Sequence, residues 1–184
     1  MKKIIGLFLI TILVAAHNAS ADDSCQAQIP GKLSASLKQK FPMYRTPLVT
    51  DNIDEDVEWD VKHGGNGCLG VAKADFDGDN IKDYLLGMTS LSGNGSLVVV
   101  ALTRKNSWDF HKLHSGEDGR NRLYVGVVKP GYVRRAETLD GPLESGEKKS
   151  IQCKNQGALF GTTESSGVVY CLINGKWSHS WVSD

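Results

Sequence analysis

An α+β fold is what this sequence predicts: two short N-terminal helices, then a mostly antiparallel β-sheet domain carrying one Asp-x-Asp-x-Asp-x-x-x-Asp loop. Three observations carry that reading. Apolar residues recur at helical spacing only near the start of the chain, and short apolar runs parted by Gly and Asn turns fill the region after Cys68. The gaps between those runs are too short for the crossovers that parallel strands need.

The chain opens with Met1-Lys2-Lys3, an apolar run from Ile4 to Ala16 broken only by Gly6 and Thr11, and the small-x-small site Ala19-Ser20-Ala21. This pattern reads as a secretory signal peptide over residues 1–21, leaving one domain over residues 22–184 that is periplasmic or secreted. The run falls short of the roughly 20 apolar residues that span a bilayer, and no later stretch repeats it, so no stable membrane insertion is expected. Cys25 stands beyond Asp22-Asp23-Ser24, a context unlike a lipid-anchoring site. With the leader go Lys2 and Lys3, and nineteen Lys and Arg then face twenty-one acids, a formal charge of −2. A nucleic-acid binder would show a basic excess. The expected partner is instead a periplasmic or extracellular protein.

In the first helix Leu33, Leu37 and Phe41 share one face between Pro30-Gly31 and the stop at Pro42. A second helix is expected from Asp51 as N-cap, through Ile53, Val57 and Val61, to Gly64-Gly65. Leu91-Ser92-Gly93-Asn94-Gly95 then divides Tyr84–Met88 from Leu97–Leu102, and Asn174-Gly175 divides Val168–Ile173 from Trp177–Val182; both read as hairpins. Further strands are expected near 107–113, 122–128, 131–137 and 149–153.

Four cysteines in an exported chain, Cys25, Cys68, Cys153 and Cys171, are expected to be oxidised, and they allow three pairings. Cys25 with Cys68 and Cys153 with Cys171 is favoured. The first bond would tie down the mature N-terminus, and the second would join two strands expected to be neighbours.

The chemistry concentrates in Asp75-Phe76-Asp77-Gly78-Asp79-Asn80-Ile81-Lys82-Asp83. Carboxylates crowded so closely repel one another, and a bound cation relieves the repulsion. A hard cation such as calcium takes about six to eight oxygens at roughly 2.3–2.6 Å. Asp75, Asp77 and Asp79 at positions 1, 3 and 5, the carbonyl of Ile81 at position 7 and Asp83 at position 9 supply them. Position 6 of such loops needs positive φ, and Asn80 is the non-glycine residue that best tolerates it. Leu86 stands where an EF-hand carries its closing Glu, so the loop runs into a strand and not a helix. The competing reading is a solvated acidic turn. A site with all its ligands on one loop is expected to be structural.

This segment resembles the calcium loop of the FG-GAP or VCBS repeats of integrin-like propellers, which also leads straight into a strand. The resemblance implies that Asp75, Asp77, Asp79, Asp83 and the Ile81 carbonyl hold Ca2+. The chain carries a single such loop, whereas a propeller repeats it blade by blade. The ending from Gly167 to Asp184 is similar to the tail of small exported bacterial proteins of uncharacterised function that carry one such loop.

Other chemistry is sparse. His111 and His114 are three apart on an expected strand, hence on opposite faces and a poor metal pair. His63 reads as a helix-end residue, and His179 as a packing position on the same face as Trp177 and Trp181. Arg134-Arg135 beside Tyr132 reads as a solvated strand edge. No Gly-x-Ser-x-Gly, His-Glu-x-x-His or Cys-His arrangement occurs. The function expected is therefore an exported calcium-binding interaction module and not an enzyme. A periplasmic hydrolase and a calcium-dependent carbohydrate or surface binder are the alternatives.

Overall fold

The run Leu97-Val98-Val99-Val100-Ala101-Leu102 lacks the alternation of a half-exposed strand because both of its faces are covered. In the computed structural model, which describes residues 23–116, 122–139 and 141–183, it forms the middle strand of a sheet that is itself the middle of the molecule. The expected leader lies outside the described residues. Val98, Val100 and Leu102 point to a second sheet, whereas Leu97, Val99 and Ala101 point to the first helix. Each buried Val or Leu among them contributes about 1.5–3 kcal/mol.

The first sheet contains β1 (Tyr44–Arg45), β2 (Val71–Ala74), β3 (Asp83–Ser90), β4 (Ser96–Arg104) and β5 (Ser107–Gly116). β3, β4 and β5 form an antiparallel meander, and β1 and β2 share the outer edge of β3, β2 beside Asp83–Leu86 and β1 beside Thr89–Ser90. The second sheet, also antiparallel, has the order β11 (Lys176–Ser183), β10 (Ser166–Ile173), β9 (Gly157–Thr162), β6 (Leu123–Val128). A two-stranded ribbon of β7 (Gly131–Arg134) and β8 (Ser150–Cys153) packs on its outer face, where Val133, Ile151 and Cys153 meet Val169 and Cys171. The helix α1 (Gly31–Lys40) covers the outer face of the first sheet with Leu33 and Leu37. The order of layers is helix, sheet, sheet, ribbon. Just before β2, the Leu69 carbonyl accepts from Val125 N–H at 2.8 Å and the Gly70 carbonyl accepts from Gly87 N–H at 2.9 Å, which stitches the two sheets together at one edge.

Both expected hairpins are present. Asn174 and Gly175 adopt φ of 50° and 75°, the left-handed pair that a two-residue turn between right-twisted strands requires. The short strands β1, β2 and β9 were not expected. β9 is bounded and interrupted by glycine, and β2 is only Val-Ala-Lys-Ala, so neither shows a clear period in sequence.

The second helix differs from expectation. α2 runs Asp54–Lys62, with Ile53 and not Asp51 at its cap. Asp51 instead accepts from the Leu48 N–H at 2.9 Å and pairs with Arg45. The residue α2 buries is Asp56, paired with Arg122 at 3.2 Å, while Trp59 and Val61 are 63% and 54% exposed. An ion pair between the buried Asp56 and the partly exposed Arg122, not an apolar stripe, docks this helix.

Cys25 pairs with Cys68 and Cys153 with Cys171. The first bond fastens the beginning of the described chain to the approach to β2. The second does not join neighbours in one sheet: Cys153 lies in the ribbon and Cys171 in β10, so the bond crosslinks two layers. From separations of 43 and 18 residues, loop-closure entropy assigns about 4 and 3 kcal/mol respectively. Peptide mapping without reduction is expected to recover these two pairs. Denaturant melts of the Cys→Ala double variants should show the greater loss for Cys25 with Cys68.

Candidate metal centre

The acidic loop connects β2 to β3, and its folding begins with hydrogen bonds to its own backbone. The Asp75 carboxylate accepts from the N–H groups of Gly78 at 2.6 Å, Asp79 at 3.1 Å and Asn80 at 2.9 Å. Asp79 accepts from Ile81 N–H at 2.8 Å. These Asx turns need left-handed backbone at two places. Gly78 has φ of 83° and Asn80 has φ of 65°, as the loop reading requires of Asn80.

Asp83 is fully buried at the first position of β3, opposite Ala74. One of its oxygens accepts from Phe76 N–H at 2.9 Å and the other from Thr103 N–H at 2.7 Å. Burial pushes the Asp83 carboxyl above the usual range. The Thr103 and Phe76 N–H groups pull it back, and Asp77 and Asp79 push it up again, leaving it raised.

The loop thereby brings Asp75, Asp77 and Asp83 together, each offering a carboxylate oxygen within 4.8 Å of the others. Two oxygens on opposite sides of one cation at about 2.4 Å stand about 4.8 Å apart, so this set can share an ion. All three donors are hard oxygens, which suits a hard cation over a thiophilic one. Asp79 lies outside that trio and turns one oxygen toward Arg104, 3.7 Å away. The loop is also held from outside: Asp75 N–H donates to Gln156 Oε1 at 3.1 Å, and Asn155 packs on Gly78, where a Cβ would come within 2.7 Å of its Oδ1.

Arg104 was not anticipated. At the end of β4 it donates to Asp77 at 2.7 Å and lies 3.9 Å from Asp109. Its hydrogen bond to Asp77, and the charges of Asp77, Asp109 and Asp79, hold the guanidinium firmly protonated. The sequence signal was present but indirect. A hairpin that pairs Tyr84 with Ala101 brings Arg104 alongside the end of the loop.

The histidines need one correction. A bulge in the pairing of β4 with β5 places His114 opposite Val98 and His111 opposite Val100, both on the inner face. An extra residue restores the same face at a spacing of three. His111 lies 6.1 Å from the Trp177 ring and His114 4.9 Å from the Phe160 ring, both packing contacts. His63 caps α2, its ring stacked on Trp59 at 4.0 Å and its Nδ1 donating to the Trp59 carbonyl at 2.7 Å.

Arg135 is no surface residue. It donates to the buried Glu147 at 2.6 Å and to the carbonyls of Leu139 and Gly141, leaving Tyr132 and Arg134 alone exposed. Burial pushes Glu147 up, but the Glu144 N–H, the Arg135 hydrogen bond and the charges of Arg135 and His179 hold it below the usual carboxylate range. His179 is buried, stacked on Tyr170 at 4.8 Å. Burial lowers its pKa more than Glu147 and Glu144 raise it.

The chain has no significant match among protein-family models, curated proteins or solved structures. The chemistry of the loop therefore rests on its own geometry.

Two outcomes are expected. For His179 the unfolded chain binds the proton more readily than the folded one, so its contribution to stability is complete above its ordinary 6.5 and declines as pH falls below it. Glu147 adds a loss of the same sign below its ordinary 4.5, and Asp83, being raised, opposes both. Melting temperature should fall from pH 7.5 to 5.5, and should fall less in His179→Phe, which keeps the stack on Tyr170. Arg135→Ala, which strands a buried carboxylate, should cost about 3 kcal/mol in a urea melt.

Proposed function

We propose that this is an exported protein whose loop 75–83 holds a structural calcium ion, and that it works by binding another macromolecule and not by catalysis. One observation carries the calcium reading: three carboxylate oxygens lie within 4.8 Å of one another on a loop already closed by its own N–H groups. Asp75, Asp77 and Asp83 would form the centre of the shell, with Asp79 and the Ile81 carbonyl completing it as in the FG-GAP or VCBS loops that the segment resembles. When bound, the ion would neutralise charge that the backbone alone offsets only in part. Two disulfides fit an oxidising compartment, and no helix among the described residues is long and apolar enough to cross a membrane. Extracellular calcium modules bind at about 10⁻⁴–10⁻³ M, which suits such a compartment.

Where the site's connections lead is in keeping with the binding role. Asp83 ties β3 to β4 through Thr103, and Asp75 ties the loop to the turn after β8 through Gln156. An ion there would brace the sheets, leaving the outer surfaces to meet a partner.

The test is a thermal melt of chelator-treated protein with and without added Ca2+. At a hundred times the dissociation constant the gain is about 2.7 kcal/mol, roughly 5–10 °C for a domain of this size. Asp77→Ala should abolish it. Phe76, inside the loop, lies 6.5 Å from the Trp177 ring, so tryptophan fluorescence should change over the same titration. Identical melts and emission with and without calcium would refute the ion site. Turnover of a periplasmic polymer, lost in folded Asp79→Asn, would refute the non-catalytic role.

A further inference from the structure

We propose that Arg104 is the resident counter-ion of the acidic loop: its guanidinium occupies the carboxylates until a divalent cation takes them over, and so sets the affinity of the loop for that cation. The proposal rests on the calcium reading above and adds a residue outside the loop that governs it.

The guanidinium is seated among the carboxylates and not merely near them. Nη1 donates to Asp77 at 2.7 Å, lies 3.7 Å from Asp79, and also donates to the Thr103 carbonyl at 3.0 Å. Asp77 is one of the three carboxylates that converge. Its side chain is only 13% exposed, whereas that of Arg104 is 38% exposed, so the arginine covers the acid from the solvent side. A cation reaching Asp77 therefore meets a carboxylate already neutralised by a positive charge.

Displacement has a ready path. Nη2 of the same guanidinium lies 3.9 Å from Asp109 on β5, an acid whose other contact is His111 Nε2 at 3.0 Å. A half-exposed arginine exchanges partners easily, because each surface ion pair is weak. A divalent ion also halves the net negative charge of the four loop aspartates, which loosens the hold on the guanidinium while Asp109 keeps its own charge. In this arrangement the metal-free loop is not left as four mutually repelling carboxylates, and the cost of evicting arginine lowers affinity for calcium.

Chelator-treated wild type, Arg104→Gln and Lys105→Gln are titrated with CaCl2 by isothermal calorimetry and melted with and without the ion. Lys105→Gln removes the same charge from the neighbouring exposed position, which forms no ion pair with the loop among the described residues. Arg104→Gln is expected to bind calcium about fivefold more tightly than wild type. It should also melt below wild type without metal and approach it at saturation, while Lys105→Gln stays within about twofold. Tight binding by Arg104→Gln with no heat from wild type would support the counter-ion role most strongly. Equal or weaker binding by Arg104→Gln, or an equal gain in Lys105→Gln, would overturn it and leave the calcium site standing. No binding by any of the three would overturn both. If Arg104→Gln fails to fold, the side-chain NMR signal of Arg104 in wild type decides: it must shift as calcium is added, and an unchanged signal overturns the proposal.

Discussion

The fully buried carboxylate of Asp83 is the constraint on which the loop and the edge of the first sheet depend. A carboxylate without water costs several kcal/mol unless its oxygens are satisfied. Here one oxygen fixes Phe76 and the other fixes Thr103, so the start of the loop, the start of β3 and the end of β4 are held by one side chain. Phe76 is then driven into the sandwich, where it meets Trp177 and the inner residues of β4. Asp75 and Asp77, on either side of Phe76, are thereby turned away from it, each with a carboxylate oxygen within 4.8 Å of one of Asp83. Polar satisfaction and apolar burial select the same loop conformation.

The outer layers are held differently. α1 contributes Leu33 and Leu37 to the outer core of the first sheet, and the β7–β8 ribbon contributes Val133, Ile151 and Cys153 to that of the second. Each of these layers lies beside a disulfide. Polar fastening follows the same plan at α2, through Asp56 and Arg122, and at the loop after β7, through Arg135 and Glu147. The central sandwich is mainly apolar, whereas its attachments add covalent and ionic bonds to their apolar contacts.

That division explains how much could be read from the sequence. The hairpins at 91–95 and 174–175 were legible because turn chemistry and apolar runs are local. The disulfide pairing and the positive φ of Asn80 were legible too, the pairing for a reason the ribbon changes. What escaped depends on contacts far apart in the chain. β9 is specified by its partners β10 and β6, Asp56 is buried because Arg122 lies 66 residues away, and Arg135 is withdrawn from the surface by Glu147. The bulge in β5 that turns both histidines inward leaves no mark in the local pattern. Arg104 lies between these cases: the hairpin is legible in its turn residues, and its register carries the arginine to the loop.

The connection from the loop to Gln156 and Asn155 gives the acidic cluster a reach beyond its own nine residues. Asn155 stands so close to Gly78 that even a methyl group there would collide with it, and Gln156 holds the first residue of the loop by its N–H. Both belong to the short turn between β8 and β9, immediately after Cys153, whose disulfide anchors the ribbon to β10. Any change in the shape of the loop is therefore felt at the point where the second sheet and its ribbon join. Without that turn the charges would act on the loop and the adjoining ends of β3 and β4 alone. With it, the balance of charge among four aspartates and one arginine bears on how the layers of the molecule are held.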